Sequence, residues 1–284
     1  GVPCGAVYDT MELHENPDFE KTVRVQWLGV SGFVVSLDQH AILFAPFFSK
    51  QPIGKVGFQK IEVNTELIDR KMPPAKNIEA ILIPHAHYDH ILDVPYIMKK
   101  HATNATTYGS RTAVNILSGC GIPEERRIEI PQEKWIYTKS RRIRFISFQG
   151  DHAPHLAGVI RIWDGTIDEP LSKPPTYARE YQKGKNLNYL VEFLNEEEKP
   201  VYTLFYQDGV VSGELGLPTV EHRPIDLLLL TVPGWTQVEE YPKPSLERFR
   251  PREIVLSHFD EFLQEPEEGL QILRNCNLDG FLVR

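Results

Sequence analysis

Three histidines and one aspartate stand within six positions in the segment Pro84-His85-Ala86-His87-Tyr88-Asp89-His90. The chain has 10 histidines in 284 residues, so a chance match to the pattern H-x-H-x-D-H has odds of about one in a thousand. Imidazole and carboxylate groups are suited to zinc, iron or manganese. The segment therefore indicates a site for transition-metal ions.

The residues around this segment predict how it presents its side chains. The apolar run at 80–83 is typical of a strand that is covered on both faces, and Pro84 ends it. In extended chain, side chains two positions apart lie on one side, so His85 and His87 can share an ion. Helical spacing begins near residue 91, so the last two polar residues of the segment face a different direction. One short loop can thus supply ligands to two adjacent ions.

Strand patterns dominate the rest of the chain. Strands are predicted within 22–37 as a hairpin and at 41–44, 103–108, 128–130, 143–148, 158–163, 189–194, 201–206, 227–232 and 254–256. Helices are predicted near 65–71, 91–100, 112–117 and 267–275. No boundary divides the pattern. We therefore expect a single α/β domain over 1–284, with layered sheets and helices outside, an irregular N-terminal arm at 1–20 and an insertion at 164–188.

Composition restricts the partners. The net charge is −8 and the isoelectric point about 5.7, which argues against non-specific binding to nucleic acid because that requires a basic face. No apolar run approaches the ~18 residues that span a bilayer, so no transmembrane segment is expected. Oligomeric state stays open.

The compartment also stays open. Cys4, Cys120 and Cys276 form no CxxC motif, and free structural thiols are favoured over a bond from Cys4 to another cysteine. The chain starts at Gly1, which suggests trimming, so both a cytoplasmic location and export after removal of a signal peptide are compatible with the sequence.

The segment at 84–90 resembles the H-x-H-x-D-H motif of the metallo-β-lactamase superfamily. Three later stretches resemble that family's other motifs, namely 150–155 (GDHAPH), 206–209 (YQDG) and 254–258 (IVLSH). The resemblance covers most of the chain and implies an αββα sandwich with metals at one sheet edge. The ligands that it implies are His85, His87, Asp89, His90, His152, Asp208 and His258.

The resemblance also implies roles for these residues. One ion is held by His85, His87 and His152, the other by Asp89, His90 and His258, and Asp208 bridges the two. A water shared by two ions about 3.5–4 Å apart loses a proton near neutral pH and becomes the nucleophile. Two divalent transition-metal ions are therefore expected, with zinc favoured and manganese or iron as alternatives. Asp89 and Asp208 are the catalytic carboxylates in this scheme.

His155 is a further catalytic candidate, three residues beyond His152. It could bind substrate or donate a proton, and the alternative is a plain loop histidine. The stretch 171–188 contains four basic residues and one acidic residue, so its local charge is positive although the net charge of the chain is negative. Tyr177, Arg179 and Lys183 are the candidates there for holding an anionic substrate. The insertion is thus either a lid over the metals or a solvated excursion without a role.

Within the superfamily the chain is similar to the branch that holds ascorbate-6-phosphate lactonases and N-acylphosphatidylethanolamine phospholipases D. Residues 43–48 (LFAPFF) are similar to that branch's TDPFF-like segment, and residues 257–262 (SHFDEF) to its C-terminal motif. This similarity implies a small-molecule substrate, an anionic phosphodiester or lactone, rather than a β-lactam or nucleic acid.

Two positions depart from the family pattern. Position 45 is Ala where an aspartate that orients the site is usual, and position 84 is Pro where Ser or Thr is usual. Loss of such an orienting carboxylate can weaken metal affinity or activity about 10- to 100-fold. Ala45 therefore favours, as an alternative, a catalytically weak metal-binding or scaffold protein. A di-iron redox enzyme is less favoured, because related redox sites have Glu in place of His87 and an attached flavin domain.

Overall fold

The computed structural model describes residues 11–12, 22–153, 162–264, 270–273 and 276–283. Its first sheet has seven strands in sequential order. They are β1 (Met11–Glu12), β2 (Val23–Gly29), β3 (Gly32–Leu37), β4 (His40–Phe44), β5 (Ile78–Leu82), β6 (Thr106–Gly109) and β7 (Arg127–Glu129). Strands β1 to β4 pair antiparallel, and β4 to β7 pair parallel.

The second sheet has six strands, in the order β13-β12-β11-β10-β9-β8. They are β8 (Ile136–Tyr137), β9 (Ile143–Gln149), β10 (Leu187–Leu194), β11 (Pro200–Gln207), β12 (Leu227–Thr231) and β13 (Glu253–Ser257). The strands from β8 to β11 pair antiparallel, and β11 to β13 pair parallel. Strand β12 is buried along its whole length, as its unbroken leucine run predicts.

Helices cover the outer faces of the sheets. They are α1 (Ile53–Phe58), α2 (Thr65–Lys71), α3 (Tyr88–Ile91), α4 (Val94–Lys100), α5 (Arg111–Gly119), α6 (Lys243–Phe249) and α7 (Leu278–Leu282). Asn64 begins α2, where its side chain accepts a hydrogen bond from the backbone N–H of Leu67. Within the described residues, no helix has the length and apolar character needed to cross a membrane.

Three apolar clusters follow this layering. One lies between the two sheets and contains the stacked rings of Phe44 and Tyr206. A second lies between the first sheet and α2 to α5, and a third between the second sheet and α6 and α7. The order is helix, sheet, sheet, helix, so the predicted α/β class and αββα sandwich are confirmed.

The sandwich brings several strand ends to one edge. Strands β5, β9, β11 and β13 end at Leu82, Gln149, Gln207 and Ser257, and the predicted ligands follow each of these ends within eight residues. Because the four strands come from both sheets, residues far apart in sequence meet at this edge.

Some expectations differ from the structure or fall outside it. Of the strand predicted at 158–163, only 162–163 are described, and they form a turn. The described part of the helix predicted at 267–275 is not helical, because Ile272 forms a β-bridge with Asp260. Strand β10 already begins at Leu187, so the predicted insertion at 164–188 overlaps it by two residues. Apart from β1, the arm at 1–20 lies outside the described residues, and the single-domain organisation stays a prediction.

Candidate metal centre

The segment 84–90 follows β5 of the first sheet and is bonded to β10 of the second sheet and to the chain that precedes it. The backbone N–H of Leu187 in β10 donates to the carbonyl of Pro84 over 2.8 Å, and that of Ala86 donates to the carbonyl of Lys183 over 2.9 Å. Helix α3 begins at Tyr88, with His87 still extended. His87 thus lies on extended chain and Asp89 lies in a helical turn, as the sequence predicted.

His85, His87 and His152 form one cluster. Nε2 of His85 lies 3.0 Å from Nδ1 of His87. The ring of His152 is 5.0 Å from that of His85 and 5.7 Å from that of His87, measured between centroids. One potential ligand atom from each residue lies within 4.8 Å of the others, which is the spacing of a metal site.

Asp89, His90 and His258 form a second cluster of the same kind. Oδ2 of Asp89 is 3.2 Å from Nε2 of His258 and 3.4 Å from Nε2 of His90. All three residues are buried. Asp89 therefore stands between two imidazoles that come from different sheets.

Asp208 lies between the two clusters. Its Oδ2 accepts a hydrogen bond from Nδ1 of His85 over 2.8 Å, and its Oδ1 is 4.0 Å from Nδ1 of His90. These three residues also satisfy the spacing of a metal site. The structure thus brings all seven predicted ligands together in three overlapping groups.

Burial sets the protonation of the cluster. It lowers the pKa values of His85, His90 and His152, so these rings are neutral at neutral pH. Burial acts to raise the pKa of Asp89, but His90 and His258 outweigh it and hold the pKa below its usual range. Burial likewise acts to lower the pKa of His258, yet the hydrogen bond with Asp89 leaves it raised. Metal ions bind neutral imidazoles and ionised carboxylates, so His85, His90 and His152 are in the form that binds an ion, whereas the raised pKa of His258 favours a proton that an ion would displace.

Unpartnered buried atoms test whether these residues fit a metal. Neither ring nitrogen of His90, nor Nδ1 of His258, has a hydrogen-bond partner among the residues that the structure describes. Buried polar atoms without a partner are rare in proteins. A divalent ion would give such nitrogens a partner, and the histidine and carboxylate donors suit zinc, manganese or iron. The residues present therefore fit a metal centre.

Comparison with known proteins agrees with this geometry. The family model of the β-lactamase superfamily domain matches residues 40–278. The chain belongs to the β-lactamase superfamily. The superfamily includes metal-dependent hydrolases, and the protein is an enzyme of that class. No curated protein matched the sequence.

Three solved structures are among those to which the chain is similar. The structure of Igni18, a metallo hydrolase from Ignicoccus hospitalis, matches with a TM-score of 0.51 and 16% identity over 84% of this chain and 83% of that one. The metallo-β-lactamase fold protein YhfI from Bacillus subtilis matches at 0.45 and 13%, over 81% and 79%. Isothiocyanate hydrolase from Delia radicum gut bacteria matches at 0.48 and 12%, over 91% of each chain.

Asn186 and Asn188, which the sequence analysis did not select, contact Asp208, the residue that is predicted to bridge the two ions. Nδ2 of Asn186 donates to Oδ2 of Asp208 over 3.1 Å. Oδ1 of Asn188 accepts from the backbone N–H groups of Asp208 and Gly209. Both asparagines are buried. The signal available in the sequence is a pair of asparagines, two positions apart, at the start of an apolar strand.

The candidates in the insertion have different surroundings. Nζ of Lys183 is buried and pairs with Asp151, over 3.3 Å, and with Asp164. Arg179 is exposed, and its guanidinium lies 4.3 Å from the ring centre of Tyr177. Lys183 thus reaches the residue before His152, whereas the other two show no contact with the described ligands. His155 lies outside the described residues.

The insertion packs against α5. The backbone N–H of Ile167 donates to Oγ1 of Thr112 over 3.1 Å, and that of Leu171 donates to the carbonyl of Asn115 over 3.1 Å. Asn115 in turn donates from its side chain to the carbonyl of Ile167 over 2.8 Å. These bonds fasten residues 167–171 to α5, and movement of the insertion as a lid stays a prediction.

Proposed function

We propose that this protein is a hydrolase that uses two divalent metal ions, zinc in first place and manganese or iron as alternatives, to cleave a small anionic ester. The observation that carries the proposal is the convergence of seven side chains into three overlapping groups with metal-site spacing. Asp208 forms the middle group with His85 and His90. His85 also belongs to the group with His87 and His152, and His90 also belongs to the group with Asp89 and His258. A shared carboxylate between two sites favours a binuclear centre over two separate ions.

The chain's own residues have distinct tasks in this proposal. Two ions held here would lower the pKa of a shared water and stabilise the charge that develops on the substrate oxygen. His85 donates from Nδ1 to Asp208, which leaves its Nε2 lone pair for the ion held with His87 and His152. Asp89 and Asp208 supply the negative charge of the site, and His155 is proposed to bind substrate or to donate a proton to the leaving group.

The proposed substrate is a phosphodiester or a lactone. The similarity of 43–48 and 257–262 to the lactonase and phospholipase D branch supports this class. The second stretch supplies His258 and Phe262, whose rings pack edge to face at 5.0 Å. Exposed Arg179, supported by Tyr177, stays a candidate for holding the anionic group.

Ala45 favours one alternative, a metal-binding or scaffold protein with weak catalysis. This residue is fully buried at the end of β4 and has no carboxylate to offer. Two-ion binding with no turnover of any ester would support this alternative over the hydrolase.

Metal analysis followed by a substrate panel tests the proposal. We expect close to two zinc or manganese ions per chain after reconstitution, and hydrolysis of bis(p-nitrophenyl) phosphate or of an acidic lactone faster than of a chromogenic β-lactam. His152→Ala should lower metal occupancy, whereas His155→Ala should keep it. Absence of bound metal, or faster turnover of the β-lactam, would contradict the proposal.

A further inference from the structure

The backbone of His258 has an unusual conformation. This residue directly follows β13 and has a φ of +62°, in the left-handed region that residues with a side chain seldom adopt. Such conformations are strained and persist only when the surrounding structure enforces them. The contacts that enforce this one therefore bear on the position of the His258 ring.

Val30, in the turn between β2 and β3, is bonded to the His258 loop on both sides. The backbone N–H of His258 donates to the carbonyl of Val30 over 2.8 Å. The backbone N–H of Val30 donates to Oδ1 of Asp260 over 2.9 Å. The two bonds fix residues 258 and 260 against the same residue, and this arrangement depends on the carboxylate of Asp260.

Lys50 holds that carboxylate in place. Its Nζ lies 3.1 Å from Oδ2 of Asp260 and donates to the carbonyl of Glu261 over 2.9 Å. The side chains of Lys50 and Asp260 are 8% and 1% exposed, so water screens the pair little. Removal of either partner from a buried pair leaves an uncompensated charge and disturbs the surrounding chain.

We propose that the Lys50–Asp260 ion pair positions His258 and thereby sets the affinity of the ion held by Asp89, His90 and His258, while leaving the other ion unaffected. Neither residue contacts the proposed ions; both act through the backbone of the His258 loop. The inference rests on the proposed two-ion centre.

Single-site backgrounds separate the two ions experimentally. His152→Ala removes a predicted ligand of one ion and leaves intact the His258 cluster, which consists of Asp89, His90 and His258. His258→Ala does the reverse and leaves intact the His85 cluster, which consists of His85, His87 and His152. Zinc affinity would be measured for each metal-stripped full-length chain by competition with a chromophoric chelator. In the first background, Asp260→Asn and Lys50→Met should each weaken zinc binding about 10- to 100-fold, the range expected for partners of a metal ligand. In the second background, neither change should alter affinity by more than about twofold.

Asp226→Asn is the matched control. Like Asp260, Asp226 is a buried carboxylate that pairs with a basic side chain, here that of Arg223. It also accepts a hydrogen bond from the backbone N–H of Thr203 over 2.9 Å. It precedes β12, whereas the proposed ligands follow strand ends. The control should lose stability like Asp260→Asn but keep the zinc affinity of both backgrounds.

Lys50→Arg keeps the cation and should restore zinc affinity even if Lys50→Met folds poorly. Equal loss of both ions, or unchanged affinity for the ion of the His258 cluster, would overturn the inference while leaving the proposed function intact. Failure of the unmodified protein to bind two ions would instead contradict the proposed function.

Discussion

Nδ2 of Asn186 and Nδ1 of His85 donate to the same oxygen, Oδ2 of Asp208, over 3.1 and 2.8 Å. The amide nitrogen must face the carboxylate, because the reversed amide would place two oxygens against each other. Oδ1 of Asn186 has no hydrogen-bond partner among the described residues. Asn186 therefore acts on the centre through its amide N–H, which fixes the orientation of Asp208.

Asn186→Asp should weaken the centre. It replaces the donor with a second carboxylate beside Asp208, and like charges at this distance repel in a buried site. We expect metal affinity or kcat to fall about 10- to 100-fold. Zinc competition titration and steady-state kinetics on the best substrate would measure the change. Asn104→Asp, at an exposed position, should leave both unchanged. A variant at 186 that retains full affinity would show that His85 alone orients Asp208.

Most of the strands, and the residues that meet at the candidate metal centre, could be predicted because their signals are local. The leucine run of β12 and the histidine segment each lie within a few consecutive residues. The later ligands are single residues, but each closely follows a recognisable strand, and the resemblance supplied their order. Short elements escaped prediction, as for α6 at Lys243–Phe249, which contains Pro244 in its first turn.

Partners that are distant in sequence could not be predicted. Lys50 and Asp260 are 210 positions apart, and only the packing of the two sheets brings them together. The basic insertion shows the same limit, because a count of charges cannot reveal that Lys183 is buried against Asp151 and Asp164. Local composition predicted a positive surface, whereas the fold pairs Lys183 with two carboxylates.

Replacement of Lys183 should weaken metal binding rather than substrate binding. Its ammonium pairs with Asp151, whose Oδ1 also accepts the backbone N–H of His152 over 2.8 Å. Lys183→Met should therefore weaken zinc binding in the His258→Ala background about 10-fold. Arg179→Met should leave metal affinity unchanged and raise KM for an anionic substrate. If Lys183→Met instead raised KM alone, Lys183 would be a substrate-binding residue.

Ala45→Asp should strengthen the site. Ala45 has a φ of +31°, a conformation that Asp and Asn adopt more readily than Ala. The new carboxylate would restore the group that this superfamily usually has here, and we expect zinc affinity or kcat to rise about 10-fold. Ala45→Asn adds nearly the same volume without charge and serves as the control. Equal effects of both variants would show that backbone relief, rather than charge, is responsible.

Asp93 is a buried acid near the start of α4. Its Oδ2 accepts the backbone N–H groups of Phe48 and Ser49 over 2.6 and 3.0 Å. Burial outweighs these bonds and raises the pKa of Asp93 from 3.8 to about 6. The folded protein therefore keeps this proton to a higher pH than the unfolded chain does.

The stability of the metal-stripped protein should depend on Asp93 in a defined pH window. Between about pH 4 and 6 the unfolded state releases this proton first, so the free energy of unfolding falls as pH rises and stays lower above pH 6. An asparagine at this position cannot ionise, so the stability of Asp93→Asn relative to the unmodified protein should rise by about 2 to 3 kcal/mol from pH 4 to pH 7. Urea unfolding at intervals of one pH unit would measure this difference.

Asp69→Asn is the control, because Lys100 lowers the pKa of exposed Asp69 to about 2, so the contribution of Asp69 to the free energy of unfolding is nearly constant across this window. A difference for Asp93→Asn that does not change with pH would show that Asp93 is ionised in the folded protein.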